Sequence, residues 1–144
     1  MEDLKKVRAL LGGRKALGGE VRTSLELVEH VREGLPPKTF TSLASKLDFT
    51  EEELAKALGI PRRTLTRRKR EERLDRRESE AVVRLARIAG RASDALGDLA
   101  AAHRWLRTPN RSLGGRTPLS LVDTDLGATL VMDVLDRIEH GVYA

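Results

Sequence analysis

The chain of 144 residues contains no cysteine and only four aromatic residues. The absence of cysteine excludes disulfide bonds and any chemistry that depends on a thiolate. Aromatic residues make up 3% of the sequence, which disfavours a β-sandwich because aromatic side chains are enriched in strands. Since Ala, Leu, Arg and Glu are the abundant residues and all four favour helices, we predict an all-α fold with an aliphatic core.

Long apolar segments are also missing from the sequence. No run approaches the ~20 apolar residues that cross a bilayer, and the N-terminus lacks the apolar core of a signal peptide. We therefore expect a soluble, cytoplasmic protein without a membrane partner.

A catalytic or metal-binding constellation is absent as well. His30, His103 and His140 lie on separate predicted helices, without a spacing that binds a metal ion. Ser112 and Ser120 have no histidine placed to act as their base, and no G-x-S-x-G segment occurs. We predict that the chain is not an enzyme and uses neither a metal ion nor a cofactor.

The sequence does have positive charge concentrated in one segment. The stretch from Arg62 to Arg77 contains nine basic and three acidic residues, a net charge of +6. The whole chain carries +5, so the remaining residues together carry a net charge of −1. Charge gathered in this way favours contact with phosphates, because neutralising phosphates releases counterions.

A helix–turn–helix pattern leads into this charged segment. Thr50 and Glu53 form a capping box that starts the first helix. Gly59 permits the left-handed backbone of a tight turn, and Pro61 then starts the second helix. Leu65 is the inward anchor of the second helix, so its remaining side chains are expected to face solvent.

This second helix supplies the candidate contacts to double-stranded DNA. Arginine pairs with guanine in the major groove, and threonine contacts phosphate or the thymine methyl group. The candidate residues are Arg62, Arg63, Thr64, Thr66, Arg67, Arg68 and Lys69. The alternative is an ordinary helical hairpin with a solvated basic face. The segment has no aromatic residue, which argues against recognition of single-stranded RNA.

The N-terminal part of the chain divides into two segments. Residues 1–23 form an arm that is either flexible, because glycines interrupt it, or contains a short docking helix. The apolar side chains that would share one face of that helix are Leu4, Val7, Leu10 and Leu11. Residues 24–74 form the helix–turn–helix domain.

The C-terminal part also divides into two segments. Residues 75–104 form a linker helix with a narrow apolar seam that runs from Val82 to Leu99. Either the N-terminal helices or a second copy of the chain covers this seam. Residues 105–144 form a small helical domain whose last helix spans residues 125–139.

The last two segments carry a series of short motifs whose order is specific. In the final third they are Trp105-Leu106, Pro109-Asn110, Leu113-Gly114-Gly115, Thr117-Pro118-Leu119, Gly127 and residues 135–144. In this order they resemble the toxin-binding domain of the Xre/MbcA/ParS antitoxins. Leu74, Glu78-Ser79 and residues 84–88 are similar to the linker helix that follows the Xre-like helix–turn–helix domain of those antitoxins. The resemblance covers residues 40–144.

The resemblance implies that the chain is the antitoxin of a type II toxin–antitoxin module. Its partners would be a RES-domain toxin, which degrades NAD or transfers ADP-ribose from it, and operator DNA, whose binding represses the operon. In this family the C-terminus of the antitoxin enters the active-site cleft of the toxin and blocks NAD. The toxin-binding residues implied here are Arg137, His140, Gly141, Val142, Tyr143 and Ala144.

The residues alone leave several alternatives open. Val142 and Tyr143 follow a predicted helix directly, so either a pocket of a partner or the core of the domain itself buries them. Two other functions are a stand-alone transcriptional regulator with a protein-binding C-terminal domain, and an adaptor whose basic helix holds an acidic protein. The helix–turn–helix also predicts a homodimer, with recognition helices about 34 Å apart on an inverted repeat.

Overall fold

The computed structural model describes residues 2–141, and over this range the chain is built from helices without a strand. The α-helices are α1 (Glu2–Leu10), α2 (Gly13–Leu17), α3 (Ser24–Glu33), α4 (Pro37–Leu47), α5 (Glu51–Leu58), α6 (Arg62–Glu71), α7 (Arg76–Leu96), α8 (Leu99–Leu106) and α9 (Asp125–Glu139). Two 3-10 helices, Arg111–Leu113 and Pro118–Leu121, lie between α8 and α9. The predicted all-α fold is confirmed. Each helix of the described range is too short or too polar to cross a membrane.

The long helix α7 lies at the centre of the fold. It packs against α1, α3, α4, α8 and α9, and so joins the N-terminal and C-terminal parts of the chain. The seam residues Val82, Leu85, Ala89 and Ala92 are buried. Of the two predicted alternatives, helices of the same chain cover the seam, and a second copy is not needed there.

The N-terminal segment contains the docking helix rather than a flexible arm. Leu4, Val7 and Leu10 on α1 are buried, and the helix packs against α7. Lys6 adds a hydrogen bond of 3.3 Å to the Ser93 hydroxyl. Gly12 lies between α1 and α2, and Gly18 ends α2. These glycines therefore mark helix boundaries, and the segment is held in place because the apolar face of α1 packs against α7.

The linker helix is shorter than predicted. A single helix over residues 75–104 was expected, but α7 ends at Leu96. Gly97 has a positive φ of 116°, and the Asp98 side chain accepts a hydrogen bond from the Ala101 N–H. The glycine and the new cap start α8, which folds back onto α7. The periodic pattern therefore crosses a helix boundary, because Leu99 belongs to α8 and packs, partly buried, against the core from there.

The helix–turn–helix forms as the sequence predicts. The Thr50 hydroxyl accepts a 3.0 Å hydrogen bond from the Glu53 N–H, and the Glu53 carboxylate accepts a 3.1 Å bond from the Thr50 N–H. Gly59 ends α5 in the left-handed conformation, with φ 71°. Pro61 then precedes the first residue of α6. These local signals place α6 at the surface.

The start of α9 depends on a close approach between two backbone segments. The Thr124 hydroxyl caps the helix by accepting a 2.9 Å hydrogen bond from the Gly127 N–H. A Cβ atom at Gly127 would overlap the backbone carbonyl oxygen of Leu121. Only glycine therefore allows the preceding 3-10 helix to lie so close to α9.

Candidate nucleic-acid interface and C-terminal site

Helix α6 presents nearly its whole surface to solvent. Leu65 is its only buried residue, and it anchors the helix to the core. Arg63 and Arg67 are exposed on one side of the helix, with Arg62 and Thr66 exposed beside them. An α-helix with cations along its outer face has the shape and charge that fit the major groove of DNA.

Arg68 differs from the other predicted contacts. Its guanidinium donates hydrogen bonds to Glu78 at 2.7 Å and to Glu71 and Asp75 at 3.1 Å each. The hydrogen bond to Glu78 comes first among the causes that raise the pKa of Arg68 above its ordinary value. Only 19% of the side chain is exposed, so Arg68 has a structural role within the chain, and its contact with DNA stays a prediction. It ties α6 to the start of α7.

Lys69 is also engaged within the chain. Its ammonium group pairs with the Glu51 carboxylate at the start of α5. The pair is largely exposed, so its contribution to stability is small, but it draws the lysine away from the outer face of α6. The predicted contacts that remain on the outer surface are Arg62, Arg63, Thr64, Thr66 and Arg67.

Four further cations extend this basic surface, and the assignment of contacts from the motif alone missed them. Glu72 adopts a left-handed conformation, with φ 61°, and turns the chain from α6 towards α7. The exposed cations around this turn are Arg70, Arg73, Arg76 and Arg77. The charge of the whole segment, rather than the helix–turn–helix motif, is the signal that could have found them. Arg70 lies in the last turn of α6 and the other three follow that helix, a position that suits contacts to the phosphate backbone.

A polar and aromatic cluster connects the helix–turn–helix to α8. The His103 ring nitrogen Nδ1 donates a 2.7 Å hydrogen bond to the Leu47 carbonyl oxygen, and its ring packs 4.7 Å from the Phe49 ring. The Arg107 guanidinium lies 5.5 Å from the centre of the Phe49 ring and also pairs with Glu53. The cap of α5 is thereby linked to the C-terminal part of the chain.

Two arginines of α7 hold α9 in place. Arg84 donates hydrogen bonds to the Asp125 carboxylate at 3.0 Å and to the Val122 carbonyl oxygen at 3.3 Å. Arg91 reaches the other end of α9, where it lies 3.0 Å from the Glu139 carboxylate. Both side chains are partly shielded from solvent, so these ion pairs keep more strength than fully exposed ones.

The predicted toxin-binding residues begin at the C-terminal end of α9. The His140 ring nitrogen Nδ1 lies 2.7 Å from the Asp136 carbonyl oxygen, and His140 is exposed. Arg137 is partly exposed one turn earlier, and Gly141 follows with φ 72°. The structure thus brings Arg137, His140 and Gly141 together at one end of α9. The other predicted residues, Val142, Tyr143 and Ala144, lie outside the described range.

Comparison with known proteins defines the class first. Residues 26–87 match the antitoxin Xre-like helix-turn-helix domain. Residues 91–141 match the antitoxin Xre/MbcA/ParS C-terminal toxin-binding domain. The first match ends and the second begins within α7, and together they describe a helix-turn-helix antitoxin with a toxin-binding C-terminal domain.

Whole-chain relatives then identify the family. The chain is 35% identical to antitoxin Xre of Yersinia enterocolitica, over 96% of this chain and 93% of the relative. It is 33% identical to antitoxin Xre of Photorhabdus laumondii, over 79% of this chain and 78% of the relative. A relative in Sphingobium, named a Prs ADP-ribosylating antitoxin, is 24% identical over 79% of this chain and 78% of its own length. The chain belongs to the Xre antitoxin family of toxin–antitoxin systems, and these relatives are named as antitoxins.

Proposed function

We propose that this antitoxin neutralises a RES-domain, NAD-consuming toxin by placing its C-terminus in the active-site cleft of the toxin. The observation that carries this proposal is the exposed C-terminal end of α9, where Arg137, His140 and Gly141 lie together within the toxin-binding domain. A tyrosine that follows such an end can fill an apolar pocket while its hydroxyl group keeps a polar partner. The plug consists of residues 141–144.

The name of the Sphingobium relative supports the chemical class of the toxin. That relative is named after ADP-ribosylation, which is a reaction that consumes NAD. A cleft that binds the pyrophosphate of NAD is cationic and would attract a carboxylate. Obstruction of such a cleft requires no chemistry from the antitoxin, so it inhibits whether the toxin degrades NAD or transfers ADP-ribose.

The helix–turn–helix would bind operator DNA and repress the operon. The exposed cations of α6 would enter the major groove, and the cations around the α6–α7 turn would grip the phosphates. We expect a homodimer, and because helices of the same chain already cover the seam of α7, that seam does not join the two copies. Its operator would be an inverted repeat with half-sites about 34 Å apart.

Deletion of residues 142–144 tests the neutralisation mechanism. The truncated antitoxin is co-expressed with the protein encoded by the neighbouring reading frame, and cellular NAD and growth are measured. We expect protection to be abolished while the affinity for operator DNA stays unchanged, because the deletion lies far from α6 in sequence. Full protection by the truncated chain would refute the plug. A neighbouring protein that leaves NAD intact would favour a stand-alone transcriptional regulator.

A further inference from the structure

Helix α9 carries two leucines that the fold leaves in solvent. Leu126 is 73% exposed and Leu130 is 47% exposed. The same helix buries Val131, Val134 and Leu135 in the core. The exposed surface of these two side chains is not used in the packing of this chain, and its burial against another surface would be favourable.

The two leucines lie on the side of α9 that leads to the C-terminal end. Positions 126, 130 and 137 are separated by four and seven residues, so they share one side of the helix. Arg137 is the third of these residues and is partly exposed. Asp133, which is also exposed, lies between Leu130 and Arg137 on this side. Leu126, Leu130, Asp133 and Arg137 thus form one stripe, which we call the α9 stripe. With a rise of about 1.5 Å per residue, Leu130 lies roughly 16 Å from Gly141 along the helix.

We propose that the α9 stripe is a second contact surface for the toxin, beside the plug. This inference rests on the proposed function, since it takes the same toxin as the occupant. The stripe lies within the toxin-binding domain, residues 91–141, and is continuous with the end of α9 from which the plug would extend. A toxin that holds residues 141–144 in its cleft therefore has to lie beside this stripe.

The size of a stable interface favours the same conclusion. Specific protein–protein interfaces bury about 800 Å² on each partner, which corresponds to a patch about 30 Å across. An aromatic residue buries roughly 150–250 Å², so a plug with one tyrosine and small neighbours falls well short of that area. The missing area has to come from surface near the cleft, and among the described residues of the toxin-binding domain the exposed large apolar side chains are those of Leu126 and Leu130.

Glutamine substitutions at the two leucines test the inference, because glutamine keeps the helix propensity while removing the apolar surface. The chain offers a matched control on α3, where Leu25 is 78% exposed and Val28 is 42% exposed, outside the toxin-binding domain. The affinity of each full-length variant for the purified toxin of the neighbouring reading frame is measured by calorimetry, at low and at high salt. Circular dichroism melting checks the fold of each variant.

We expect Leu126→Gln with Leu130→Gln to weaken toxin binding roughly 10- to 100-fold, with the same loss at both salt concentrations because the lost contact is apolar. Leu25→Gln with Val28→Gln should bind toxin as the unchanged chain does. Equal affinity for all three proteins, equal losses in both variants, or an altered oligomeric state of the free α9 variant would each overturn the inference. If the double variant melts early, the single change Leu126→Gln must still weaken binding several-fold.

The two proposals fail separately. If deletion of residues 142–144 abolishes protection and the leucine changes have no effect, the plug stands and the α9 stripe is refuted. If the leucine changes weaken binding and the deletion leaves protection intact, the stripe stands and the plug is refuted. A wild-type chain that does not bind the neighbouring protein refutes both.

Discussion

Helices α6 and α9 present opposite kinds of surface to solvent. α6 buries only Leu65 and exposes a row of cations, whereas α9 buries a broad apolar face and still exposes Leu126 and Leu130. Attraction between the cations and DNA falls as salt rises, because salt screens charge and reduces the gain from counterion release. Apolar contacts of α9 are insensitive to moderate salt. If α6 binds DNA and α9 binds the toxin as proposed, the two affinities would respond to different conditions.

The largest expected effect is that of a substitution at Gly127, which supports the α9 side of the comparison. Gly127→Ala puts a methyl group onto the Leu121 carbonyl oxygen, which is backbone and cannot rotate away. We expect unfolding to become easier by about 3 kcal/mol and toxin binding to be lost, as measured by urea denaturation and calorimetry.

Gly90→Ala in α7 is the matched control for this change. Its methyl group would meet the Lys6 Cβ at 3.5 Å, an ordinary contact. Alanine also has a higher helix propensity, so stability should stay the same or rise by about 0.5–1 kcal/mol. Equal losses at both glycines would contradict the close approach at the start of α9.

The next prediction tests the electrostatic surface of α6 through its exposed arginines. Removing Arg63 and Arg67 together, as Arg63→Ala with Arg67→Ala, should weaken operator binding by roughly 10- to 100-fold. If both contact phosphates, the slope of log affinity against log salt should fall by about 2, because each phosphate contact contributes about 0.9. Fluorescence anisotropy across a salt series measures both quantities.

Arg68→Ala serves as the counterpart, since its guanidinium is bound to Glu71, Asp75 and Glu78. We expect the salt slope to remain unchanged and the melting temperature to fall by a few degrees, corresponding to about 1 kcal/mol. A reduced salt slope in this variant would show that Arg68 contacts DNA. An unchanged salt slope in the Arg63→Ala, Arg67→Ala variant would show that α6 is not the DNA-binding helix.

The smallest expected effect concerns the ion pair between Glu53 and Arg107, which links the helix–turn–helix to the C-terminal part of the chain. Hydrogen bonding from the Thr50 N–H and the charge of Arg107 lower the pKa of Glu53 below its ordinary value of 4.5. A carboxyl group with a lowered pKa in the folded state stabilises the protein above pH 4.5, and the stabilisation is lost as pH falls through the lowered pKa. Glu53→Gln should therefore be less stable than the unchanged chain at pH 7, by less than about 1 kcal/mol, and equally stable in strong acid.

Urea denaturation of both proteins at pH 7 and near pH 2 measures this difference. Glutamine keeps the capping geometry of Glu53, so the comparison isolates the charge. A difference that persists in strong acid would show that packing, rather than ionisation, links Glu53 to Arg107.

Local signals predicted much of the fold. The capping residue Thr50 and the turn at Gly59 both act as their sequence patterns indicate. These features depend on a few neighbouring residues, so a single sequence reveals them. The end of α7 at Leu96 was missed because the apolar repeat continues through Gly97 into α8, although the Gly97-Asp98 pair was a readable signal.

Only part of each candidate site could be predicted from the sequence. The sequence showed where positive charge is concentrated, but it did not show that Arg68 faces Glu78 rather than DNA. That choice depends on how α6 and α7 meet, which is a contact between residues ten positions apart and across a turn.

By itself, the sequence determined the helical class, the helix boundaries marked by caps and turns, the basic segment and the order of family motifs. Each of these is a property of residues that are close together along the chain. Only the tertiary structure decided which helices cover α7, which arginines remain outside, and which leucines stay in solvent. These depend on distant elements competing for the same surfaces, and local propensity carries no information about the outcome.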